Sequence, residues 1–326
     1  MLVSHYFEFG EQVTGGIRES VAHQRKMLRS QDIEYTTEPR LDADVLHCNL
    51  MGPQSVYYAT RARKAGIPVV AHTHVTAEDF GNSFRFTNAL SVPLRPYLRR
   101  AYGLADVLVC PSEYNRGVVD SYTDVPTRVV TNGVDTDKLD GFESLREEYL
   151  RRYDLSPPVV FLVGHVIKRK GLEAFVETAR RLPEVDFAWF GPIDRKLKGR
   201  STRRLIDESP DNCTFTGFID DIRGAYAAGD IFFFPTYEEN EGIALLEAMA
   251  AGKPPVVRDI ETFGWLEDGE DCLKSADDRG FVGAIDRLRD RSERERLGAN
   301  ARRRSEPYHL ENVAPSYESL YQEVLT

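Results

Sequence analysis

The densest chemistry in the chain lies between Phe234 and Pro254. There an apolar run meets Glu238-Glu239-Asn240-Glu241, then Gly242, then an apolar segment that stops at Gly252. A glycine at such a stop predicts a helix C-terminus. Glu239 and Glu247 are eight residues apart, which on one continuous helix would leave them about 80° out of line. The spacing therefore puts Glu239 on the loop and Glu247 inside the helix. Two carboxylates at different depths of one pocket can hold two different hydroxyl-bearing parts of a ligand, while the helix start between them, at Gly242 and Ile243, faces an anion. A second segment complements the first: Gly164-His165-Val166-Ile167-Lys168-Arg169-Lys170-Gly171 carries three consecutive cations toward a helix from Leu172. Fixed cations beside a helix start suit a diphosphate and stabilise the charge that grows on it as a group departs.

Three further segments are weaker taken alone. Gly15-Gly16 opens a helix and lets a phosphate approach bare N–H groups, although the fingerprint G-x-G-x-x-G is absent. His72-Thr73-His74 follows a strand ending in Val69-Val70, and a histidine at a strand exit can hydrogen-bond a reacting sugar or simply cap the loop. Gly217, in Phe215-Thr216-Gly217-Phe218-Ile219, leaves room for a planar base against the backbone. No carboxylate or cysteine cluster with ligand spacing accompanies the histidines, so no metal site is expected. Asp42-Ala43-Asp44 and Asp135-Thr136-Asp137 read as surface or capping carboxylates.

The elements that must position these residues follow a βα rhythm. Expected strands are Leu2 to Tyr6, Val45 to Asn49, Pro68 to His72, Asp106 to Cys110 and Arg128 to Thr131. After a charged helix to Tyr153 and the break Ser156-Pro157-Pro158, the rhythm resumes with Val159 to Val163, Asp186 to Phe190, Cys213 to Phe215, Ile231 to Phe234 and Pro255 to Val257. Alternation of this kind predicts two parallel sheets covered by helices, a doubled α/β architecture with ligands at the carboxyl ends of the strands. The length of 326 residues suits two such domains, placed at 1–153 and 154–307. The final helix, with Val313, Tyr317, Leu320 and Tyr321 as its apolar stripe, is expected to complete the N-terminal domain as 308–326.

Composition excludes several functions. A net charge of −10 argues against a nucleic-acid partner. The apolar runs are strand-sized and the start carries no secretory pattern, so a cytoplasmic protein is expected. The four cysteines lack metal spacing and read as buried free thiols. Arginine outnumbers lysine beside many acids, which suits a high-salt organism or a GC-rich genome.

Together these segments resemble family four glycosyltransferases. The Glu239–Glu247 segment looks like that family's Glu-x7-Glu motif, and Gly15-Gly16, the His74 loop, Pro111-Ser112-Glu113, Asn132-Gly133-Val134-Asp135, Arg169-Lys170-Gly171 and Gly217 fall into register with its landmarks. The resemblance implies a GT-B fold of two Rossmann-like domains facing across a cleft, with the acceptor on the first and the nucleotide sugar on the second. It implies that Glu239 holds hydroxyls of the donor sugar and Glu247 the ribose. Lys170 and Arg169 would neutralise the diphosphate, N–H groups near Gly242 and Ile243 would approach it, and His74 would line the reacting face. His165 departs from the pattern, since many relatives carry arginine there. The reaction implied is hexose transfer with retention and no metal or other cofactor. A nucleotide-sugar epimerase and a non-catalytic nucleotide-sugar binder remain the competing readings.

The acceptor is expected to be a membrane glycerolipid, with a soluble sugar or growing glycan as the alternative. Phe80 to Tyr102 places Phe84, Phe86, Leu90, Val92, Leu94, Tyr97 and Leu98 among Arg85, Arg95, Arg99 and Arg100, without an acid between Asp79 and Asp106. That composition suits the headgroup boundary of an anionic bilayer, on its inner face. The segment, with the His74 and Glu239 loops, is similar to glucosyl-diacylglycerol synthases. A UDP-sugar is the favoured donor.

Overall fold

Apolar runs of four or five residues, too short for helices and free of polar alternation, form strands buried on both faces, as a parallel sheet between helix layers requires. The computed structural model describes residues 1–80, 87–193 and 200–326. It contains two six-stranded sheets. The first comprises β1 (Leu2–Tyr6), β2 (Glu34–Thr36), β3 (Val45–Cys48), β4 (Val69–His72), β5 (Val107–Cys110) and β6 (Thr127–Val129), in the order β2-β1-β3-β4-β5-β6. The second comprises β7 (Val159–Val163), β8 (Asp186–Phe190), β9 (Cys213–Gly217), β10 (Ile231–Phe234), β11 (Pro255–Arg258) and β12 (Leu273–Ser275), in the order β12-β11-β10-β7-β8-β9. Every strand pair within the two sheets is parallel. The edge strands β2 and β12, short and only partly buried, were not expected from the sequence.

The chain divides into two compact units, one holding β1 to β6 with Pro307–Thr326 and the other Asp135–Glu306. In the first, residue parity sorts the core. Val45, Val70, Val107 and Val109 pack with Met27, Leu28, Val313, Tyr317 and Tyr321 on one face, while Leu46, Val69, Ala71 and Leu108 pack with Ala59, Ala62, Leu98 and Tyr102 on the other. The C-terminal helix Leu310–Leu325 thus covers the same face as helix Gly16–Ser30. In the second unit the core is aromatic, with Phe175, Trp189 and Phe233 in contact about Phe187 and Phe281.

One boundary differs from expectation. The charged helix Arg146–Tyr153, assigned to the first domain, packs on the second unit. Arg146 Nη2 donates to both oxygens of Asp230 at 2.9 and 3.1 Å, and Tyr149 lies so close to Gly224 that a Cβ there would meet its ring at 2.0 Å. The chain changes unit near Val134, and Ser156-Pro157-Pro158 is a turn inside the second unit. All four cysteines are free and buried. Of the two Asp-x-Asp spellings, the first serves locally: Asp42 pairs with Arg40, and Asp44 accepts the Leu2 N–H at 2.7 Å. In the second, Asp137 is exposed as expected, but Asp135 is buried and precedes the turn Thr136–Leu139 without a side-chain capping bond.

Candidate donor site and histidine cluster

In the second unit two strand exits are laced together. Gly171 has φ +82°, and a Cβ there would sit 2.3 Å from the Pro235 carbonyl oxygen, so only glycine lets the cationic turn Lys168–Lys170 approach the acidic loop. The Arg169 carbonyl accepts the Tyr237 N–H at 2.8 Å, and the Arg169 guanidinium donates to the Glu238 carbonyl at 2.6 Å. From β11, Arg258 Nε donates to the Pro235 carbonyl at 3.1 Å and its guanidinium stacks 4.1 Å from the Tyr237 ring. Thr262 Oγ1 donates to the Glu239 carbonyl at 2.8 Å. The acidic loop is therefore held along its backbone.

Glu239 meets Lys170 in an ion pair, with Arg169 Nη1 at 3.8 Å from the same oxygen. Burial pushes the Glu239 carboxyl up, but the charges of Lys170 and Arg169 outweigh it and hold the group ionised, below its usual range. Lys170 Nζ also lies 4.8 Å over the Phe234 ring. Gly242, at φ +100°, caps helix Ile243–Ala250 without a side chain in front of its first N–H groups. Glu247 lies inside that helix, half-buried, and accepts the Tyr226 hydroxyl at 2.5 Å. Gly217 ends β9 at φ +73° with open space at its Cβ position, and Phe218 beside it is 73% exposed. His165 leaves β7 half-buried.

The first unit holds Gly15, Gly16 and His74. Gly15 precedes helix Gly16–Ser30 at φ +76°. His74 belongs to a cluster that strand register assembles. His5 and His47 are direct partners on β1 and β3, His47 pairs with Val70 on β4, and His72 and His74 follow Val70 at two-residue steps on the same face. His5 and His47 are 5.0 Å apart between ring centroids, and His72 stacks on His74 at 3.9 Å. Tyr321 of the C-terminal helix meets His47 Nδ1 at 2.6 Å, and Gln24 reaches His5, His72 and His74. Burial, with neighbouring positive or potentially positive groups, lowers the imidazoles: His5 to about 4, His74 to about 3, and His47 and His72 well below the ordinary value. All four are neutral at pH 7.

The structure thus brings Arg169, Lys170 and Glu239 together, and places Gly242, Ile243 and Glu247 on the helix that follows. Tyr226, Gln24, Thr262 and Tyr321 carry no sequence signal of their own, because each gains its role by a contact distant in the chain. Among the described residues, no group of three or more His, Cys, Asp and Glu side chains is arranged to hold a metal ion. Among them, too, no helix is long and apolar enough to cross a membrane.

Residues 157–291 match the model of glycosyl transferases group 1, and residues 17–138 that of glycosyltransferase family 4. The processive diacylglycerol alpha-glucosyltransferase of Acholeplasma laidlawii is 32% identical over 317 residues, covering 95% of this chain and 94% of the relative. The alpha-galactosylglucosyldiacylglycerol synthase of Streptococcus pneumoniae is 25% identical over 82% of this chain and 74% of its own. Among solved structures, Anabaena HepE in complex with UDP-glucose superposes with a TM-score of 0.76 at 16% identity, covering 99% and 100% of the two chains. Sucrose-phosphate synthase from Thermosynechococcus elongatus superposes with a TM-score of 0.71 at 21% identity, covering 86% and 74%. Fold and motifs define a glycosyltransferase of the GT-B class. The chain belongs to glycosyltransferase family four.

Proposed function

We propose that the enzyme transfers a hexose, glucose foremost, from a UDP-sugar to a membrane glycerolipid, with retention and without a metal ion. The observation that carries the acceptor is the match to a diacylglycerol glucosyltransferase over nearly the full length of both chains. The donor reading draws on the structural likeness to a protein crystallised with UDP-glucose. Lys170 and Arg169 offset the diphosphate charge, supported by their contacts with Glu239, whose side chain lies against Gly242 at the helix start. As the diphosphate arrives, Lys170 turns part of its charge to it and frees Glu239 to accept hydroxyls of the sugar. Glu247, oriented by Tyr226, accepts from the ribose. The bond from C1 to the β-phosphate oxygen breaks, the acceptor oxygen bonds C1 from the same face, and the acceptor proton passes to a phosphate oxygen of the leaving UDP. The side chains supply position and charge.

Membrane contact is supported by helix Thr87–Tyr102, where Leu98, Ala101 and Tyr102 face the core while Arg99 and Arg100 are exposed. Arg95 is exposed too, though it donates to Ser121 Oγ at 3.0 Å and lies 5.1 Å over the Tyr122 ring. Phe84, Arg85 and Phe86 lie outside the described residues, as do the side chains of Leu90 and Val92. The enzyme then works at the inner membrane face. The test is incubation with labelled UDP-glucose and liposomes holding diacylglycerol and anionic lipid, with and without EDTA, followed by organic extraction and flotation. Label in the lipid phase that persists in EDTA, with α configuration in the product, is the expected result. Label confined to water-soluble acceptors overturns the lipid acceptor, and activity restored only by manganese overturns the metal-free reaction. A variant with Arg95, Arg99 and Arg100 changed to Glu should float less.

A further inference from the structure

The second unit holds a cavity of about 450 Å³ at the end of its sheet opposite the donor site. Pro157, Asp230 and Pro254 in its wall stand just before β7, β10 and β11, whereas Lys170, Glu239 and Gly242 lie beyond the carboxyl ends of strands. The wall carries four cations, Arg146, Lys253, Arg291 and Arg294, against two carboxylates, Asp230 and Glu295. Both carboxylates are engaged: Asp230 accepts from Arg146 at 2.9 and 3.1 Å, and Glu295 pairs with Arg291 at 2.6 Å. Four less two leaves a surplus of two positive charges, on Arg294 and Lys253. Arg294 is fixed by the Leu288 and Arg289 carbonyls, to which its Nη1 donates at 2.7 and 2.8 Å. Lys253 is set by the end of helix Ile243–Ala250, where Gly252 turns the chain at φ +70° and the Lys253 N–H closes on the Ala248 carbonyl at 2.9 Å. Among the described residues its ammonium has no hydrogen bond or ion pair, and it lies 5.4 Å over the Phe142 ring. Burial pushes that ammonium down to about 8, with Arg146 adding to the effect and Asp230 and Glu143 opposing it. The positive start of helix Arg291–Ser305 lies in the same wall.

We propose that this cavity is a second ligand site, which binds a small phosphate monoester through Lys253 and Arg294. Such a group carries about −1.5 to −2 charges at pH 7, which balances the surplus in the wall. The volume falls within the ~300–1,000 Å³ of small-molecule sites, so an organic body fits beside the phosphate. A dissolved phosphate ester and a lipid with a terminal phosphate share this chemistry.

The site is located by trace acetylation of the full chain with acetic anhydride, read at each lysine by mass spectrometry, with and without saturating UDP. The probes are inorganic phosphate, glycerol 3-phosphate and vesicles containing phosphatidic acid. With a probe about ten times above its Kd, Lys253 should be acetylated about tenfold more slowly, while Lys64 and Lys138 keep their rates and UDP changes nothing. Protection by the dissolved probes assigns the ligand to solution, and protection by the vesicles alone assigns it to the membrane. In calorimetric titrations with the protecting probe, Lys253→Met should weaken binding about tenfold or more, as loss of a charge-assisted contact does. Glu295→Gln, which releases Arg291, should tighten it severalfold, a gain that misfolding does not produce. The proposal is overturned if no probe protects Lys253, if protection is uniform across the lysines, if UDP abolishes it, or if neither variant changes the affinity.

Discussion

Replacing Lys170 with methionine should cost both stability and activity, for separable reasons. Lys170 and Glu239 are well enclosed, their side chains 15% and 13% exposed, and Arg169 shares the carboxylate from 3.8 Å. At an effective dielectric of about 20, a contact pair at ~3 Å attracts by ~5 kcal/mol, and Arg169 at its distance by ~4 kcal/mol. Desolvation of the charged groups offsets most of this. Methionine keeps the packing over Phe234 and leaves Glu239 one cation, so the net loss should be about 1–2 kcal/mol, well short of that for an unpaired buried charge. Activity should fall further. One charge-assisted contact to the diphosphate is worth about 1.5–3 kcal/mol, which is ten- to about a hundredfold in kcat/KM. The double variant Lys170→Met with Glu239→Gln should be less stable than Lys170→Met, because Arg169, its side chain 11% exposed, then loses its carboxylate partner, and should be less active still. Denaturant unfolding and transfer kinetics on the parent, both singles and the double measure all of this. The reasoning is refuted if Lys170→Met keeps kcat/KM within about threefold of the parent, or if the double variant is more stable than Lys170→Met.

Acid should destabilise the protein through the histidine cluster. Folded pKa values depressed below the unfolded value near 6.5 mean that the unfolded chain takes up protons first as pH falls. The cluster's contribution is therefore complete above about pH 6.5 and is lost toward about 4 for His5 and about 3 for His74. Each histidine contributes a slope of about 1.4 kcal/mol per pH unit in that window, and the lowered Glu239 acts in the same direction at lower pH. Calorimetry from pH 8 to 4.5 should show Tm falling below pH 6.5, and a constant Tm down to pH 5 would contradict it. Tyr226→Phe should raise the Kd for UDP about tenfold while leaving kcat within about twofold, since it removes one hydrogen bond from Glu247; isothermal titration with UDP reads this directly. Gly171→Ala should destabilise by about 2 kcal/mol or more, because a Cβ at positive φ meets the Pro235 carbonyl. Unfolding at the parent's midpoint would show that the two loops can separate freely.

The sequence alone carried what is local. Strand cores such as Ile231 to Phe234 are legible because burial on both faces requires an unbroken apolar run, and the loop-then-helix placement of Glu239 and Glu247 follows from helical pitch and two glycines. The partly buried edges β2 and β12 gave no such run, because an edge strand needs little apolar surface to pair. The helix Arg146–Tyr153 read as part of the first domain because its charged sequence does not say where it docks; Asp230 and Gly224 decide that. The pairing of Lys170 with Glu239 joins residues 69 apart, and that of Tyr226 with Glu247 joins residues 21 apart. His47 meets Tyr321 across 274 residues. Periodicity reports which way a side chain faces within its own element, and register between strands decides which side chains become neighbours. For that reason His74 was visible as a histidine at a strand exit, while its backing of His5, His47, His72 and Gln24 came only with the closed sheet and the two helices that cover it.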